Sequence, residues 1–438
     1  MSFLNSALDI IQWLETAVDT VDGVKLIRER YNIANSAWIN RYRSDCGMEA
    51  ALAFLVAWKH TKEEKYLSLS RDLYAGVVSL QNADGSFPYY KGETRAYAND
   101  NAEVAIFLFR MAEIDTENAE TYRNKALEIT DYFISNQNAN GTWARSTADA
   151  SQSALFTAHP VSALATAYKF TDNKAAYQAS IERALSWISG KICDDGHITL
   201  AGTNEAQRPP SSDQAIVIRA YAMAEMYIPH SAKASSWRAQ RQKMLDWFLQ
   251  LLAENGAVKN GLGEGLNGAD TPNITDHVYT TPFAIEALYF CFCVDGKVDY
   301  WQDALKLVKF VESNIYYSDD ANANGVLRGG YNLKDNNWDT SEALLDASQQ
   351  GGGDMVYTGW TNAPLAVALM VGVRFAEAEI FYSAYADSKI FRFKSQTDGA
   401  FKVYAGEAVG FRLVEEESIF ASNVKICTDG KPMSFAYL

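Results

Sequence analysis

The sequence predicts an all-α fold in which about six helical hairpins close into a ring, an (α/α)6 toroid or barrel, with a small C-terminal β element. A two-helix layout recurs along the chain, one helix of each pair is apolar on nearly all sides, and the tail changes to a strand-like alternation. The expected division is residues 1-378 for the toroid and 379-438 for a β-rich appendage.

Two landmarks recur together and define the repeat. Both series advance by 54 to 64 residues per step. The first helices begin near Asp45, Asp100, His159, Asp213 and Asp276. The second helices begin near Tyr66, Tyr122, Tyr177, Trp237 and Trp301. Two series of helix starts that advance by similar steps indicate a structural repeat.

The two helices of each pair differ in polarity. The first helices, 48–58, 102–111, 160–168, 215–227 and 281–292, are apolar nearly all round. The second helices, 63–80, 119–135, 175–188, 236–253 and 300–313, are apolar on one side. A helix that is apolar on all sides is buried on all sides, so the first helices should line the core and the second should form the outer wall.

The ends of the chain complete the ring. Segment 362–375 fits a sixth inner helix, and the N-terminal helix, expected over 4–31 with a break near Asp22-Gly23, would supply its outer partner and close the ring. Beyond it, 389–394, 401–404 and 408–414 alternate apolar and polar residues around an Asp398-Gly399 turn, which predicts strands.

The net charge and the cysteine content restrict the classes of binding partner and the expected location of the protein. With 39 basic and 54 acidic side chains the net charge is −15, which disfavours nucleic acid and anionic lipid. No secretory signal or membrane span is visible, and the five cysteines are scattered, so we expect a cytoplasmic protein without disulfides. The oligomeric state stays open.

The loops that follow two outer helices carry a family resemblance. Residues 81–87 and 137–143 both read Gln-x-x-x-Gly-x-aromatic. This resembles the Gln–Trp motif of terpenoid cyclases and protein prenyltransferases, and similar loops in six-hairpin α/α-toroid glycosidases and polysaccharide lyases. The resemblance covers about 45–375 and implies the architecture. The glycine supplies a positive φ at the turn, and the aromatic ring should pack back on the helix pair.

Two members of this group use signatures that the chain lacks. Terpenoid cyclases of this shape use an Asp-x-Asp-Asp acid, and no such string is present. Prenyltransferases hold zinc with Asp, Cys and His, whereas Cys193 and His197 follow an outer helix, and Cys291 and Cys293 lie in an apolar one without a neighbouring histidine. We therefore expect no metal and no cofactor.

The site should lie where the N-termini of the inner helices converge on one mouth. The candidate catalytic residues are Asp100, Glu103, Asp213, Asp276 and His277. The candidate substrate-binding residues are Tyr90, Asn101, Trp143, His159, Arg208, Tyr279, Arg328, Trp338, Tyr357 and Trp360. Aromatic rings beside carboxylates and amides suit sugars. The same aspartates are also favoured N-caps, so each has a structural explanation too.

The leading functional hypothesis is a glycoside hydrolase that acts on a saccharide. Paired carboxylates roughly 6.5–9.5 Å apart would support inversion, and Asp100 or Glu103 with Asp213 or Asp276 could supply them. One alternative is a polysaccharide lyase with His277 and Tyr279 as bases, backed by Arg208 and Arg328. Another is an isoprenoid cyclase-like enzyme using the aromatic cavity. The last is a non-catalytic toroid that binds a glycan or a protein.

Overall fold

The computed structural model describes residues 3–199, 210–262, 272–338 and 352–376, and the backbone of strands between Ala378 and Pro432. Its helices are α1 Phe3–Ala17, α2 Ser44–Thr61, α3 Glu64–Val78, α4 Ala98–Ile114, α5 Ala119–Ser135, α6 Ala154–Ala167, α7 Lys174–Ser189, α8 Pro210–Tyr227, α9 Ala234–Phe248, α10 Thr281–Asp295, α11 Val298–Ser313 and α12 Ala363–Ala376.

Short strands connect these helices. They are β1 Val18–Val21, β2 Val24–Ile27, β3 Arg30–Asn32, β4 Ala37–Ile39, β5 Ile274–Asp276, β6 Gly330–Asn332, β7 Asn337–Trp338 and β8 Met355–Tyr357. Antiparallel pairing gives the sheet orders β1-β2, β4-β3-β8 and β5-β6-β7.

The helices form two concentric layers. The even-numbered helices contact one another in sequence from α2 to α12, and α12 returns to contact α2, which closes the inner ring. Each inner helix also packs on one outer helix: α3 on α2, α5 on α4, α7 on α6, α9 on α8, α11 on α10 and α1 on α12. The predicted toroid of helical hairpins is therefore confirmed.

Burial follows the predicted difference between the two kinds of helix. In α4 every residue from Ala98 to Ala112 is buried. In its outer partner α5 the buried residues recur at helical spacing, as Tyr122, Ala126, Ile129 and Phe133 do. A one-sided apolar stripe faces the inner ring and leaves the other side to solvent.

The N-terminal helix is shorter than the sequence analysis expected. It ends at Ala17, and the expected continuation to residue 31 is wrong, because β1 and β2 form a hairpin there. Asp22 and Gly23 have φ values of 51° and 84°, the two positive values that a tight hairpin turn requires. The β-branched residues on either side favour strands over helix.

The third inner helix begins earlier than expected. Ser153 caps α6 by accepting the Phe156 N–H at 3.1 Å, so the helix starts at Ala154 rather than near Pro160. His159 consequently lies inside the helix and faces the centre of the ring. A proline removes only one helical hydrogen bond, and here α6 continues through Pro160 to Ala167.

The C-terminal tail contains the predicted β element. Its strands are β9 Ala378–Tyr385, β10 Ser388–Ser395, β11 Phe401–Ala405, β12 Ile419–Phe420, β13 Val424–Thr428 and β14 Lys431–Pro432. They form two sheets, ordered β12-β10-β9 and β11-β13-β14. The expected turn at 398–399 and strand at 408–414 lie outside the described residues. Within the described part of the chain, no helix combines the length and apolarity needed to cross a membrane.

Candidate active site at the mouth of the ring

One arginine gathers several acids at the N-terminus of α2. The guanidinium of Arg43 donates to Asp45, with 3.0 Å between Nε and Oδ1, and lies 3.4 Å from Glu29 Oε1. Its Nη2 is 3.3 Å from Asp100 Oδ1. Arg43 and these carboxylates are buried, so the cluster is an ion-paired network rather than a set of separate helix caps.

Trp360 joins this cluster through an unusual backbone. It precedes α12 with a φ of 57°, a region that bulky residues rarely adopt. Its indole N–H donates to Asp45 Oδ2, and its backbone N–H donates to Glu49 Oε2 at 2.5 Å. At Gly359 a Cβ would lie 2.5 Å from that same carboxylate oxygen and 2.7 Å from the Cα of Cys46. The connection therefore needs glycine, and it sets Trp360 against α2.

Glu49 is a buried carboxyl with little compensation for a charge. Burial and the negative charge of Asp45 raise its pKa well above the usual value, and the N–H of Trp360 and the charge of Arg43 oppose this only partly. These surroundings therefore favour the protonated form of Glu49. A neutral carboxylic acid at the mouth can donate a proton or a hydrogen bond to a substrate.

Glu103 has the opposite electrostatic environment. Arg219 bonds both of its carboxylate oxygens and extends to Glu286, which in turn pairs with Arg110 at 2.7 Å between Oε1 and Nη1. Burial alone would raise the pKa of Glu103, but the charge of Arg219 and the hydrogen bond from His159 outweigh it and lower the pKa. Glu103 is therefore ionised, as an orienting group must be.

His159 completes an oriented pair with Glu103. Its Nδ1 lies 2.6 Å from Glu103 Oε1. Because that carboxylate is ionised and the contact is shorter than the 3.3 Å between Nδ1 and Arg219 Nη2, we assign Nδ1 as the donor to Glu103, and in the neutral imidazole Nε2 then carries the lone pair. The ring meets Phe283 and Trp360 edge-on, at centroid distances of 5.5 and 6.2 Å. A histidine fixed in this tautomer by a carboxylate is the arrangement of a general base.

Three predicted catalytic aspartates are buried, each in a local contact. Asp100 accepts from Asn99 Nδ2 at 2.8 Å beside Arg43. Asp213 lies in the first turn of α8, with Oδ1 3.4 Å from the Ser212 hydroxyl. Asp276 accepts the N–H of Val278 at 2.7 Å, which is a capping role at the end of β5.

Four predicted binding residues are occupied by structural contacts. The Asn101 amide bonds both the N–H and the C=O of Phe87, at 2.7 and 3.0 Å, and so holds the preceding loop. The Trp143 indole donates to the Phe133 carbonyl at 2.8 Å and is buried, as the motif predicted, which leaves no ring face for stacking on a sugar. The other two contact charged side chains: Tyr357 accepts from Arg30, and Arg328 pairs with Asp354.

His277 is packed away from the oriented histidine. Its ring lies between Phe310 of α11 and Trp338, at centroid distances of 5.8 and 6.1 Å. Burial lowers its pKa to about 3, so it is neutral. The expected lyase base thus packs against the outer helix α11, and Trp338, which is half-buried, contacts it edge to face.

Two aromatic candidates keep positions suited to a ligand. Tyr279 lies beside Trp360 at 6.3 Å between ring centroids, and Tyr90 is half-buried with the guanidinium of Arg41 5.2 Å from its ring centre. Arg208 lies outside the described residues.

Several central residues were missed by the sequence analysis: Glu49, Arg110, Arg219 and Glu286. Each is a charged residue inside a helix that is otherwise apolar on all sides. Charged side chains are seldom buried unless they are paired, so this contrast was the available signal. Arg110 and Arg219 lie in the second half of their helices, whereas Glu49 and Glu286 lie five residues after the helix start, at the same position as Glu103.

Comparison with known proteins supports the fold. No protein-family model matches the chain, and no curated protein matches it in sequence. Among solved structures it resembles a sugar epimerase from a ruminal bacterium, with a TM-score of 0.63, 9% identity and coverage of 86% of this chain and 99% of that chain. It also resembles the GH76 α-mannanase BT2949 of Bacteroides thetaiotaomicron, with a TM-score of 0.61, 10% identity and coverage of 86% and 96%.

A third similar structure is the cellobiose 2-epimerase of Bacillus thermoamylovorans, with a TM-score of 0.59, 10% identity and coverage of 85% of this chain and 99% of that chain. At such identities the likeness shows the architecture alone. The chain thus has the α/α-toroid fold that the loop motif led us to expect, the fold of these saccharide-acting enzymes.

Proposed function

We propose that this chain is a carbohydrate-active enzyme that performs acid–base chemistry on a saccharide at the mouth of the ring. One observation carries the proposal. The imidazole of His159, held by ionised Glu103, faces the ring of Trp360, whose backbone N–H binds the protonated carboxyl of Glu49. Trp360 thus contacts Glu49 directly and Glu103 through His159, and the pKa values of the two carboxyls are shifted in opposite directions, which is how acid and base roles are divided.

The reaction that this pair favours is proton transfer beside a sugar carbonyl, as in epimerisation or isomerisation. Nε2 of His159 would take the proton from the carbon next to the carbonyl, and Glu49 would give its proton to the carbonyl oxygen, which forms a neutral enediol. Return of a proton to carbon and loss of one from oxygen would complete the reaction without a net change in atoms. Tyr279, which is half-buried beside Trp360, would pack on the sugar ring. Structures similar to this chain include sugar epimerases and a D-mannose isomerase.

Glycoside hydrolysis is the second candidate. Glu49, with its raised pKa, has the protonation state required to protonate a leaving oxygen. Asp100, Asp213 or Asp276 would then activate water or attack the sugar, as the sequence analysis expected. Similar structures named as mannanases support this reading.

The test is to follow both reactions on one panel of free and linked sugars. Proton transfer is measured as deuterium incorporated from heavy water, by NMR, and hydrolysis as new reducing ends. His159→Asn and Glu49→Gln are compared with His230→Gln, a control at a histidine whose Nε2 lies 3.1 Å from the Tyr168 hydroxyl. Loss of an acid or base group should cost about 10²–10⁴ in rate.

The outcomes separate the candidates. Deuterium incorporation lost in both variants and kept in the control supports an epimerase or isomerase. Reducing ends lost in Glu49→Gln and kept in His159→Asn support the hydrolase. Activity on none of the sugars contradicts the proposal and leaves the isoprenoid and binding-module alternatives. Full activity in both variants contradicts the roles proposed for His159 and Glu49.

We also propose that residues 1-378 form the catalytic unit and 379-438 a separate appendage. A chain ending at residue 378 should then unfold cooperatively and keep the activity found for the full chain. Aggregation of the shortened chain, or loss of its cooperative transition, would argue against this boundary.

A further inference from the structure

Four loops between outer and inner helices share one backbone turn: 82–86, 138–142, 193–197 and 253–257. In each, the N–H of the first residue donates to the carbonyl of the fifth at 2.8 Å. The glycine at the fourth position donates back to the first carbonyl at 2.9 to 3.1 Å. The turn brings the first, third and fifth side chains together in the first three of these loops.

In the first two loops these side chains satisfy one another. Asn82 donates to the hydroxyl of Ser86 at 3.0 Å, and that hydroxyl donates to Asp84 at 2.6 Å. The second loop repeats both bonds, at 3.1 and 2.7 Å. Amide, hydroxyl and acceptor groups close a complete local network, which leaves nothing for a ligand to add.

The third loop keeps the turn and changes the chemistry. Its first, third and fifth residues are Cys193, Asp195 and His197, and one ligand atom from each lies within 4.8 Å of the others. The carboxylate of Asp195 is 2.7 Å from Nδ1 of His197. The hydroxyl and amide that linked the other loops are replaced by a thiol and an imidazole, which are ligands for borderline and soft metal ions.

The rest of the structure holds this loop rigidly. Gln214 of α8 donates to the Gly196 carbonyl at 2.8 Å and accepts the Ile198 N–H at 3.0 Å. Gly196 has a φ of 103°, and a Cβ there would overlap the carbonyl oxygen of Lys243. The ligands are thus presented by a fixed backbone. The side chain of His197 is 42% exposed, so an ion can enter from solvent.

We propose that Cys193, Asp195 and His197 bind one zinc ion on the rim of the ring, contrary to the expectation of no metal. Thiolate, carboxylate and imidazole are the three ligand types that zinc accepts in tetrahedral sites, and the fourth position would hold water. Calcium and magnesium prefer oxygen ligands alone and do not fit this set. The proposal is independent of the chemistry at the mouth.

The test uses the full chain under reducing conditions, with zinc competed by a chromophoric chelator and cobalt as an absorbing substitute. We expect one zinc per chain and a thiolate-to-cobalt charge-transfer band. Cys193→Ser and His197→Ala should each weaken binding about 10-fold or more and remove or shift the band. Asp194→Asn, at a neighbouring exposed carboxylate, should bind like the natural chain.

A matched variant controls for folding. Cys193→Asn with Asp195→Asn and His197→Thr rebuilds the side chains of the second loop, and should fold normally and bind no zinc. Zinc should raise the melting temperature of the natural chain and not of this variant. The proposal is overturned if no zinc binds, or if the matched variant and Cys193→Ser bind zinc as tightly as the natural chain.

Discussion

Glu49 and Glu103 occupy equivalent positions on two sides of the mouth, each five residues after the first residue of its inner helix. Both are buried, yet one pKa is raised and the other is lowered. The neighbours make the difference: Glu49 faces Asp45 and a backbone N–H, whereas Glu103 is bonded by Arg219 and His159. The repeat places the two glutamates at the same position of their helices. Glu103 alone is paired with an arginine of another helix, Arg219, and this pairing determines the direction of its pKa shift.

Removal of Arg219 should have the largest effect on the free energy of unfolding, because it takes away the cation that distinguishes Glu103 from Glu49. Arg219→Met leaves Glu103 and Glu286 buried with less compensation, which should cost about 3–5 kcal/mol of unfolding free energy. Urea unfolding measures this. Adding Glu103→Gln to the same chain should restore part of the loss, since Glu286 keeps Arg110. A loss below about 1 kcal/mol would show that Arg219 does not hold the network.

A substitution at Gly359 tests how closely its backbone approaches Glu49 and Cys46 of α2. Gly359→Ala forces a Cβ against the carboxyl of Glu49 and the backbone of Cys46, and overpacking of this kind costs about 1–3 kcal/mol. The matched control is Gly190→Ala, where the nearest atom is 3.5 Å away and φ is −73°. Calorimetry should show a lower melting temperature for the first variant alone. Equal melting temperatures would contradict the close approach.

Buried histidines show the same dependence on a charged partner. His159 is hydrogen-bonded to the carboxylate of Glu103, whereas His277 is buried between aromatic rings. Its pKa falls from 6.5 to about 3, so the unfolded chain binds a proton that the folded chain does not between these values. Stability therefore decreases as the pH falls below 6.5, by about 2 kcal/mol at pH 5 from this group. His277→Gln should flatten the dependence in urea unfolding measured at pH 7 and 5. An unchanged slope would refute it.

Glu49→Gln should change the pH dependence of stability with the opposite sign. Because the pKa is raised on folding, the folded chain keeps a proton that the unfolded chain loses above about pH 4.3. Stability thus falls as the pH rises from there, by about 1.4 kcal/mol per pH unit, until the pH reaches the pKa of the folded chain. Glutamine keeps an acceptor for Trp360 without this dependence, so the variant should be at least as stable at pH 8. Destabilisation there would contradict a neutral Glu49.

The sequence predicted what depends on local periodicity. Apolar spacing located the inner and outer helices, and the glycine motif located the loop that Asn101 holds. It could not predict pairings between distant repeats: Arg219 and Glu103 are 116 residues apart, and Trp360 and Asp45 are 315 apart. Such contacts depend on how the ring closes. Asp276 shows a different difficulty, since a cap and a catalytic acid look alike in sequence, and its carboxylate accepts the N–H of Val278.

The most direct test is the protonation of the two glutamates, read by NMR of the carboxyl carbons in ¹³C-labelled protein at pH 7. Comparison with Glu49→Gln should identify a carboxyl resonance at the neutral position. Comparison with Glu103→Gln should identify one at the ionised position. An ionised resonance for Glu49, or a neutral one for Glu103, would contradict the division of acid and base on which the proposed chemistry depends.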